Sequence, residues 1–227
     1  MFRIIFITNV RIAEKDLEET QESFVSIAEK KLTDIDREIN LNLMGGNTKM
    51  NLEELRNDIT FKQKKGLPFI CASVVIWSLI LIVVALDLPQ QQENMLVFCC
   101  SCPLMPIAWL IGKLLKVDIF EKSNPLGNVG FLFTCNQFLY LLIVMWVFNA
   151  VPDKMVMVYA MVFGAHLLPY SWLYKSISYR IFSIIIPVVS LMLGCMFSAL
   201  AVAITLLTIE IVFAVALFIE LHRFNSK

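Results

Sequence analysis

The sequence predicts an all-α polytopic membrane protein with six transmembrane helices and both termini in the cytoplasm. Its 227 residues are 58% hydrophobic and 17% charged, and the mean hydropathy is +0.73. A soluble domain is nearer to about half apolar and about a quarter charged. Apolar runs of roughly twenty residues recur after residue 66, and a helix of that length crosses a bilayer core of about 30 Å.

The first 49 residues differ in composition from the rest and predict a cytoplasmic helical extension. They carry 7 Lys and Arg against 9 Asp and Glu. Phe24, Ala28, Ile35 and Ile39 give a partial helical stripe. The apolar start of the chain is short for a signal peptide, and acidic residues rather than a small-residue cleavage site follow it.

A second interpretation of this extension concerns Gly45 and Gly46. Two glycine codons of the form GGA-GGN resemble a ribosome-binding sequence, and Met50 follows after a short spacer. On this hypothesis Met50 is the native start, and residues 1–49 are an upstream extension of the reading frame. The alternative is a Gly-Gly linker after a small cytoplasmic helix. Other glycine codons in the gene would exclude the first interpretation.

Residues 50–66 predict an amphipathic helix that leads into a basic cluster. Leu52, Leu55 and Ile59 share one face of the helix. Asn51 is a good N-cap, with Glu54 placed three residues later to complete a capping box. Such a helix is typical of a membrane surface, and a solvated cytoplasmic segment is the alternative. The basic cluster that follows is Lys62-Gln63-Lys64-Lys65-Gly66.

Residues 67–227 predict the six-helix bundle. The run from 181 to 221 contains about forty residues, too many for one crossing at 1.5 Å per residue, so it is divided into two spans. This division has little turn chemistry to support it. The spans are predicted at 67–86, 95–117, 128–151, 155–174, 181–197 and 200–221.

Basic residues predict the orientation, because short loops rich in Lys and Arg stay on the cytoplasmic side. The opposite loops hold Lys154 together with the acidic residues Asp87, Glu93 and Asp153. We therefore expect both termini on the cytoplasmic side. The basic residues on the predicted cytoplasmic side are Arg56, Lys62, Lys64, Lys65, Lys113, Lys116, Lys122, Lys175, Arg180, Arg223 and Lys227.

A polar group inside an apolar span is the main functional signal. Glu210 lies near the middle of the sixth span, and an intramembrane carboxylate is expensive enough to suggest a site. His166 lies in the fourth span, and Asn136, Gln137 and Tyr140 lie in the third at similar depth. If the third, fourth and sixth spans pack together, these residues form one candidate proton or solute site. The alternative is an interhelical hydrogen-bond network. Glu220, near the end of the sixth span, is interpreted as an interfacial charge.

Prolines predict kinks in two spans. Pro103 and Pro106 lie in the second span and Pro187 lies in the fifth, where each removes a backbone hydrogen bond. If the six spans are divided three and three, these prolines occupy the middle helix of each half. Inverted repeats of transporters show such symmetry, and ordinary kinks are the alternative.

No residue pattern predicts catalysis, a metal site or a cofactor. The three cysteines of Cys99-Cys100-Ser101-Cys102 lack the second ligand pair that structural zinc sites usually have. We found none of the short motifs of metalloproteases, serine hydrolases or P-loop nucleotide-binding proteins. The net charge of zero also gives no basic footprint for nucleic acid.

Three stretches carry a resemblance to a known family, and they are Lys62-Gln63-Lys64-Lys65-Gly66-Leu67, Asn124-Pro125-Leu126-Gly127, and the run from Val151 to Tyr174. In these stretches the chain from Met50 onward resembles a family of small bacterial integral-membrane proteins of unknown function. The resemblance implies a six-helix protein of the bacterial plasma membrane and brings no established activity, so no functional residue is carried over. The polar loop that contains the second stretch is either a connecting turn or a contact for a partner.

The functional hypothesis is transport of a small solute, linked to protons, through the polar site around Glu210 and His166. One alternative is a membrane subunit or regulator that does not transport and binds a protein partner. A weaker alternative is an intramembrane enzyme that acts on a lipid-like substrate. The expected partners are the lipid bilayer, a small solute or proton, and either a protein partner or a second copy of the chain.

Overall fold

A computed structural model describes Met50–Asn225 apart from Asp87, Glu121 and Lys122. The chain forms two compact units, Met1–Lys49 and Met50–Lys227. Most of the predicted cytoplasmic extension lies outside the described residues. The residues of the first unit that are described are all helical, and they are Ser26, Lys30, Lys31, Thr33, Asp34 and Arg37.

The second unit is helical throughout its described part, which contains no strand. A short 3₁₀ turn, Lys64–Gly66, connects the first two helices, and another, Pro152–Lys154, precedes the sixth. The α-helices are α1 (Leu52–Lys62), α2 (Leu67–Val84), α3 (Gln90–Cys100), α4 (Leu104–Leu114), α5 (Leu126–Ala150), α6 (Met155–Ala165), α7 (Leu168–Leu173), α8 (Ile177–Met196) and α9 (Ala199–Asn225).

The six predicted spans are confirmed as helical segments that are long and apolar enough to cross a membrane. The division between the last two is also confirmed, because Phe197 adopts an extended backbone between α8 and α9. In chain order, the spans are Lys64–Val84, Gln90–Leu114, Leu126–Ala150, Pro152–Leu173, Ile177–Met196 and Ala199–Phe224.

Prolines affect these spans in different ways. The second span is interrupted at residues 101–103, next to Pro103, whereas Pro106 lies in the first turn of α4 and does not end it. α8 is one continuous helix through Pro187, so the span predicted to be kinked there is not broken. The fourth span, in contrast, is interrupted between α6 and α7, just before Pro169. That interruption was not predicted.

The first, fourth, fifth and sixth spans form the centre of the bundle. α2 packs against α9 and α4, α6 packs against α8, and α9 also packs against α8. Gly164 makes the α6–α8 contact close, since a Cβ at this position would lie 2.5 Å from Cγ2 of Ile186. Small residues allow helix backbones to approach in this way in membranes. α5 packs mainly against α6, at the edge of the bundle.

α1 is bonded to the loops that follow the second and fourth spans. Its predicted capping box between Asn51 and Glu54 is confirmed. The amide of Asn124 donates to the carbonyl of Leu55 at 2.8 Å, and the guanidinium of Arg56 donates to the carbonyl of Trp172 at 3.0 Å. We call this end of the bundle, which also carries the C-terminal part of α9, the basic end.

Lysines occupy unusual backbone positions at the basic end. Lys64, Lys65, Lys116 and Lys175 have positive φ angles between 46° and 55°, a region that glycine normally fills. Lys116 and Lys175 follow the second and fourth spans, where a left-handed residue closes a Schellman motif. The amide following Lys116 donates to the carbonyl of Gly112 at 2.8 Å.

Candidate functional site

Glu210 lies in the middle of α9, and its side chain is 0% exposed. Its Oε2 is hydrogen-bonded to the hydroxyl of Ser73, which comes from α2 in the first span. Its Oε1 is buried and has no hydrogen-bond partner among the described residues. Sequence reasoning missed Ser73. Ser73 could have been identified from its hydroxyl, which lies beside a small residue, Ala72, in an apolar span.

The two hydrogen-bond contacts of the Ser73 hydroxyl bear on the protonation state of Glu210. The hydroxyl of Ser73 also lies 2.8 Å from the carbonyl of Ile70. A hydroxyl has one proton to donate, so Ser73 cannot donate to Ile70 and to an ionised Glu210 at once. Both bonds form together if Glu210 is protonated and donates to Ser73, which then donates to Ile70. The geometry therefore fits a neutral carboxylic acid.

A cavity of about 200 Å³ lies between the spans in the half of the bundle nearer to the basic end. Residues from α2, α4, α5, α6, α7 and α8 line it, and seven of the twenty lining residues are aromatic. None of the lining residues is Lys, Arg, Asp or Glu. Ser73 lines the cavity and so stands between it and Glu210.

His166 also lines the cavity, at the interruption between α6 and α7. Its ring makes edge contacts with Phe163 and Tyr170, with centroids 5.4 Å and 6.2 Å apart. Its Nδ1 is buried and makes no hydrogen bond of normal geometry with any described residue. The cavity is therefore lined by an imidazole of which one ring nitrogen, Nδ1, has no well-formed hydrogen bond to the described residues.

The other predicted site residues divide between the cavity and a different face of α5. Gln137 lines the cavity. Asn136 donates its amide proton to the hydroxyl of Tyr140 at 2.9 Å, and neither residue is part of the lining. The expectation that the third, fourth and sixth spans pack together is met only in part. The fourth span contacts both of the others, but in the described residues the third and sixth spans do not pack against each other.

A second polar cluster, which we call the basic-end cluster, surrounds Glu220. The buried ammonium of Lys65 donates to Oε1 of Glu220 at 3.0 Å and to the carbonyl of Tyr174 at 3.2 Å. Around the start of α8, the hydroxyl of Ser176 donates to Oε2 of Glu220 at 2.9 Å, and the hydroxyl of Ser178 donates to it at 2.6 Å. Glu220 is therefore more than the interfacial charge predicted from the sequence, because it joins three segments of the chain.

The turn at Lys64–Gly66 separates the basic-end cluster from the cavity. Gly66 lines the cavity, while the hydroxyl of Tyr179 donates to the carbonyl of Lys65 at 3.0 Å. The hydroxyl of Tyr174 donates to the side-chain carbonyl of Gln63 at 2.7 Å. Burial, with a smaller effect of Tyr170, raises the pKa of Tyr174, so its hydroxyl keeps the proton that it donates. These residues close the cavity at the basic end.

Within the described part of the chain, no group of three or more His, Cys, Asp or Glu is placed to hold a metal ion. The candidate functional centres described above are the cavity with Glu210 and the basic-end cluster.

Comparison with known protein families gives one match. A model for a family of unknown function, DUF7010, matches residues 52–220. The chain belongs to this family. This confirms the resemblance to a membrane-protein family without an assigned activity. No curated protein and no solved structure matches the chain. For this chain, the cavity and the buried carboxyl group beside it are the features from which a function can be argued.

Proposed function

We propose that this DUF7010 protein is a transporter that couples movement of a small solute to release or uptake of a proton by Glu210. It would act in the plasma membrane of a bacterium with both termini inside, as the loop lysines favour. The observation that carries the proposal is the connection from the buried carboxyl of Glu210 through Ser73 to a cavity. An intramembrane carboxyl group beside a cavity is typical of proton relays and substrate sites.

The coupling follows from the cost of charge in an apolar span. When Glu210 is protonated, it is neutral and completes the hydrogen-bond chain through Ser73 to Ile70. When it loses the proton, an ionised carboxylate is buried with one oxygen unpartnered. That state becomes accessible only if a solute in the cavity, or water with it, compensates the charge. Solute binding and proton release are thereby linked.

The test uses the full chain reconstituted in liposomes with a pH-sensitive dye inside. A panel of small cationic, uncharged and anionic solutes is added outside, and the proton flux through the membrane is recorded. We expect at least one class to drive a flux in the wild type, and Glu210→Gln to abolish it. Asn136→Leu is the matched control, because Asn136 is a polar residue of the spans outside the cavity. A flux that Glu210→Gln leaves unchanged would contradict the proposal, and so would no flux from any class.

A second candidate function, chemistry on a lipid-like molecule, is favoured by the presence of His166 and Ser73 in the same cavity. Its weakness is the placement of the hydroxyl of Ser73, which is bonded to Ile70 and Glu210 rather than to a base. Incubation with a mixture of labelled bacterial lipids separates the two candidates. A His166-dependent product would favour the enzyme, and unchanged lipids would favour transport.

A further inference from the structure

We infer that the cavity admits small organic cations from the bilayer, through a seam between α4 and α5. This inference rests on the proposed function, since it names the substrate class and the entry route of the same site. Four features support it: an open side, a closed end, an aromatic lining and a carboxyl group behind Ser73.

The seam is formed by residues that line the cavity and also reach the outer surface of the bundle. Met105 of α4 is 36% exposed, Phe131 of α5 is 46% exposed, and Phe120 in the loop between these helices is 62% exposed. In the described residues, α4 and α5 make at most slight contact with each other. Met105 and Phe131 belong to the second and third spans, so we place this sideways opening towards the lipid.

The route from the aqueous phase at the basic end is closed. The turn at Lys64–Gly66 covers the cavity there, and the hydroxyls of Tyr174 and Tyr179 bond it in place. Gly66 leaves little room, because a Cβ at this position would lie 2.9 Å from the hydroxyl oxygen of Tyr179. A solute cannot enter past this turn while the turn is in place, and we therefore assign entry to the open side of the cavity, at the seam.

The lining selects for the charge of the solute. It contains no Lys or Arg, so it offers no permanently charged cation to bind an anionic group. Faces of aromatic rings attract cations, and Arg or ammonium groups placed over them are stabilised most where water is excluded. The aromatic side chains of the lining are Phe69, Phe120, Phe131, Phe163, Tyr170, Tyr174 and Tyr179.

Glu210 supplies the compensating charge. A cation in the cavity stabilises the ionised form of Glu210, so the proton leaves as the cation binds and returns as it leaves; one positive charge replaces another. The titratable residues that line the cavity are His166, Tyr170, Tyr174 and Tyr179. Glu220, which is paired with Lys65, lies ten residues further along α9 than Glu210, about 15 Å at 1.5 Å per residue. Glu210 is the buried carboxyl group behind Ser73, so we assign the proton exchange to Glu210.

The size of the cavity limits the solute. Its volume of about 200 Å³ is below the roughly 300–1,000 Å³ of pockets for drug-sized ligands. A single aromatic ring that carries an ammonium group is a suitable probe. Benzyltrimethylammonium has this form, neopentylbenzene is its uncharged carbon analogue, and benzylsulfonate is a matched anion.

The experiment measures binding of these three probes to the full chain in lipid nanodiscs, by calorimetry and by proton release into weak buffer. We expect the cation to bind about tenfold more tightly than the uncharged analogue, given the usual strength of cation–π contacts. Its binding should release protons, and Glu210→Gln should abolish the release. Equal binding of the uncharged analogue, or tighter binding of the anion, would overturn the cation assignment.

Entry through the seam is tested by the rate of proton release after mixing. Met105→Trp narrows the seam and should slow the rate about tenfold, as a steric block of the entry path, whereas Phe131→Ala widens it and should speed entry. Leu110→Trp is the matched control, because Leu110 lies on an exposed face of α4 outside the cavity. Equal rates in all three variants would overturn lateral entry.

The outcomes also separate this inference from the proposed function. If an anionic or uncharged probe drives proton release that depends on Glu210, the cation assignment is wrong and proton-linked transport stands. If no solute class releases protons in nanodiscs or liposomes, both are wrong.

Discussion

Two carboxyl groups on the same helix, Glu210 and Glu220, have opposite surroundings. Glu220 accepts hydrogen bonds from Lys65 and from side chains and amides at the start of α8. Among the described residues, Glu210 is hydrogen-bonded to Ser73 alone, and its other carboxyl oxygen has no partner. A carboxylate whose oxygens are all hydrogen-bonded, such as Glu220, holds segments of the chain together. A carboxyl group in an apolar span with an unpartnered oxygen destabilises the fold. This cost makes Glu210 the better candidate for a role in activity.

Replacing Glu220 should have the largest effect on stability. Glu220→Leu leaves the ammonium of Lys65 buried without its partner, and we expect a loss of about 3 kcal/mol in the free energy of unfolding. Reversible unfolding in mixed micelles gives the measurement. Lys65→Met combined with Glu220→Leu is the control, and it should recover much of the loss. A single variant as stable as the wild type would mean that the pair contributes nothing.

Removing the partner of Glu210 should have a smaller effect. Ser73→Ala deletes one interhelical hydrogen bond, and such bonds in membrane proteins contribute about 1 kcal/mol. Ser73→Thr keeps the hydroxyl and serves as the control. A double-mutant cycle with Glu210→Leu isolates the pair, because the serine should lose most of its contribution once the carboxyl group is gone. Full additivity would show that the two residues do not interact.

The same substitution that damages position 220 should be tolerated at position 210. Glu210→Leu removes a buried polar group with an unpartnered oxygen and keeps a similar volume, so we expect a change within about 1 kcal/mol. Measured beside Glu220→Leu in the same micelles, this variant tests the comparison directly. A loss as large as that of Glu220→Leu would make Glu210 a structural residue and remove the reason for assigning it a function.

The smallest expected effect concerns a third carboxyl group, Glu53 of α1, which is exposed. Its hydrogen bond with the ammonium of Lys175 lowers its pKa from the ordinary value of 4.5. A lowered pKa contributes stability that is present above the ordinary value and is lost as the pH falls through the lowered one. Protection of the α1 amides from hydrogen exchange should therefore decrease below about pH 4.5. Glu53→Gln should remove this pH dependence, and an identical profile in the variant would contradict it.

Hydropathy predicted much of the fold because spans are set by local composition. The six spans and the position of Glu210 in the last one needed only the lengths of apolar runs. The hydrogen-bond partners of Glu210 could be identified only from the packing of the helices. Ser73 is 137 residues away from Glu210 in the chain, and nothing in either helix indicates that α2 rather than α5 lies beside α9. For the same reason Gln137 could not be distinguished from its neighbour Asn136, although only Gln137 faces the cavity.

Charge patterns predict an orientation in the membrane and say nothing about hydrogen bonding. Lys65 was counted as one of several loop cations, yet it is 2% exposed and holds Glu220. The interruption at His166 was also missed, because Pro169 comes three residues later and the preceding residues continue an apolar run. This interruption matters for the site, because it is where the imidazole of His166 reaches the cavity.

The lysines at left-handed positions have a consequence for how the chain inserts. The cations that favour one orientation in the membrane include Lys116 and Lys175, which end the second and fourth spans. The side chain of Lys64 also donates to the carbonyl of Leu115 at 2.6 Å. At each of these positions, one lysine thus both favours an orientation in the membrane and ends a helix. Moving the loop lysines in order to invert the protein would also remove the left-handed residues that end its helices. Orientation and fold therefore cannot be changed independently.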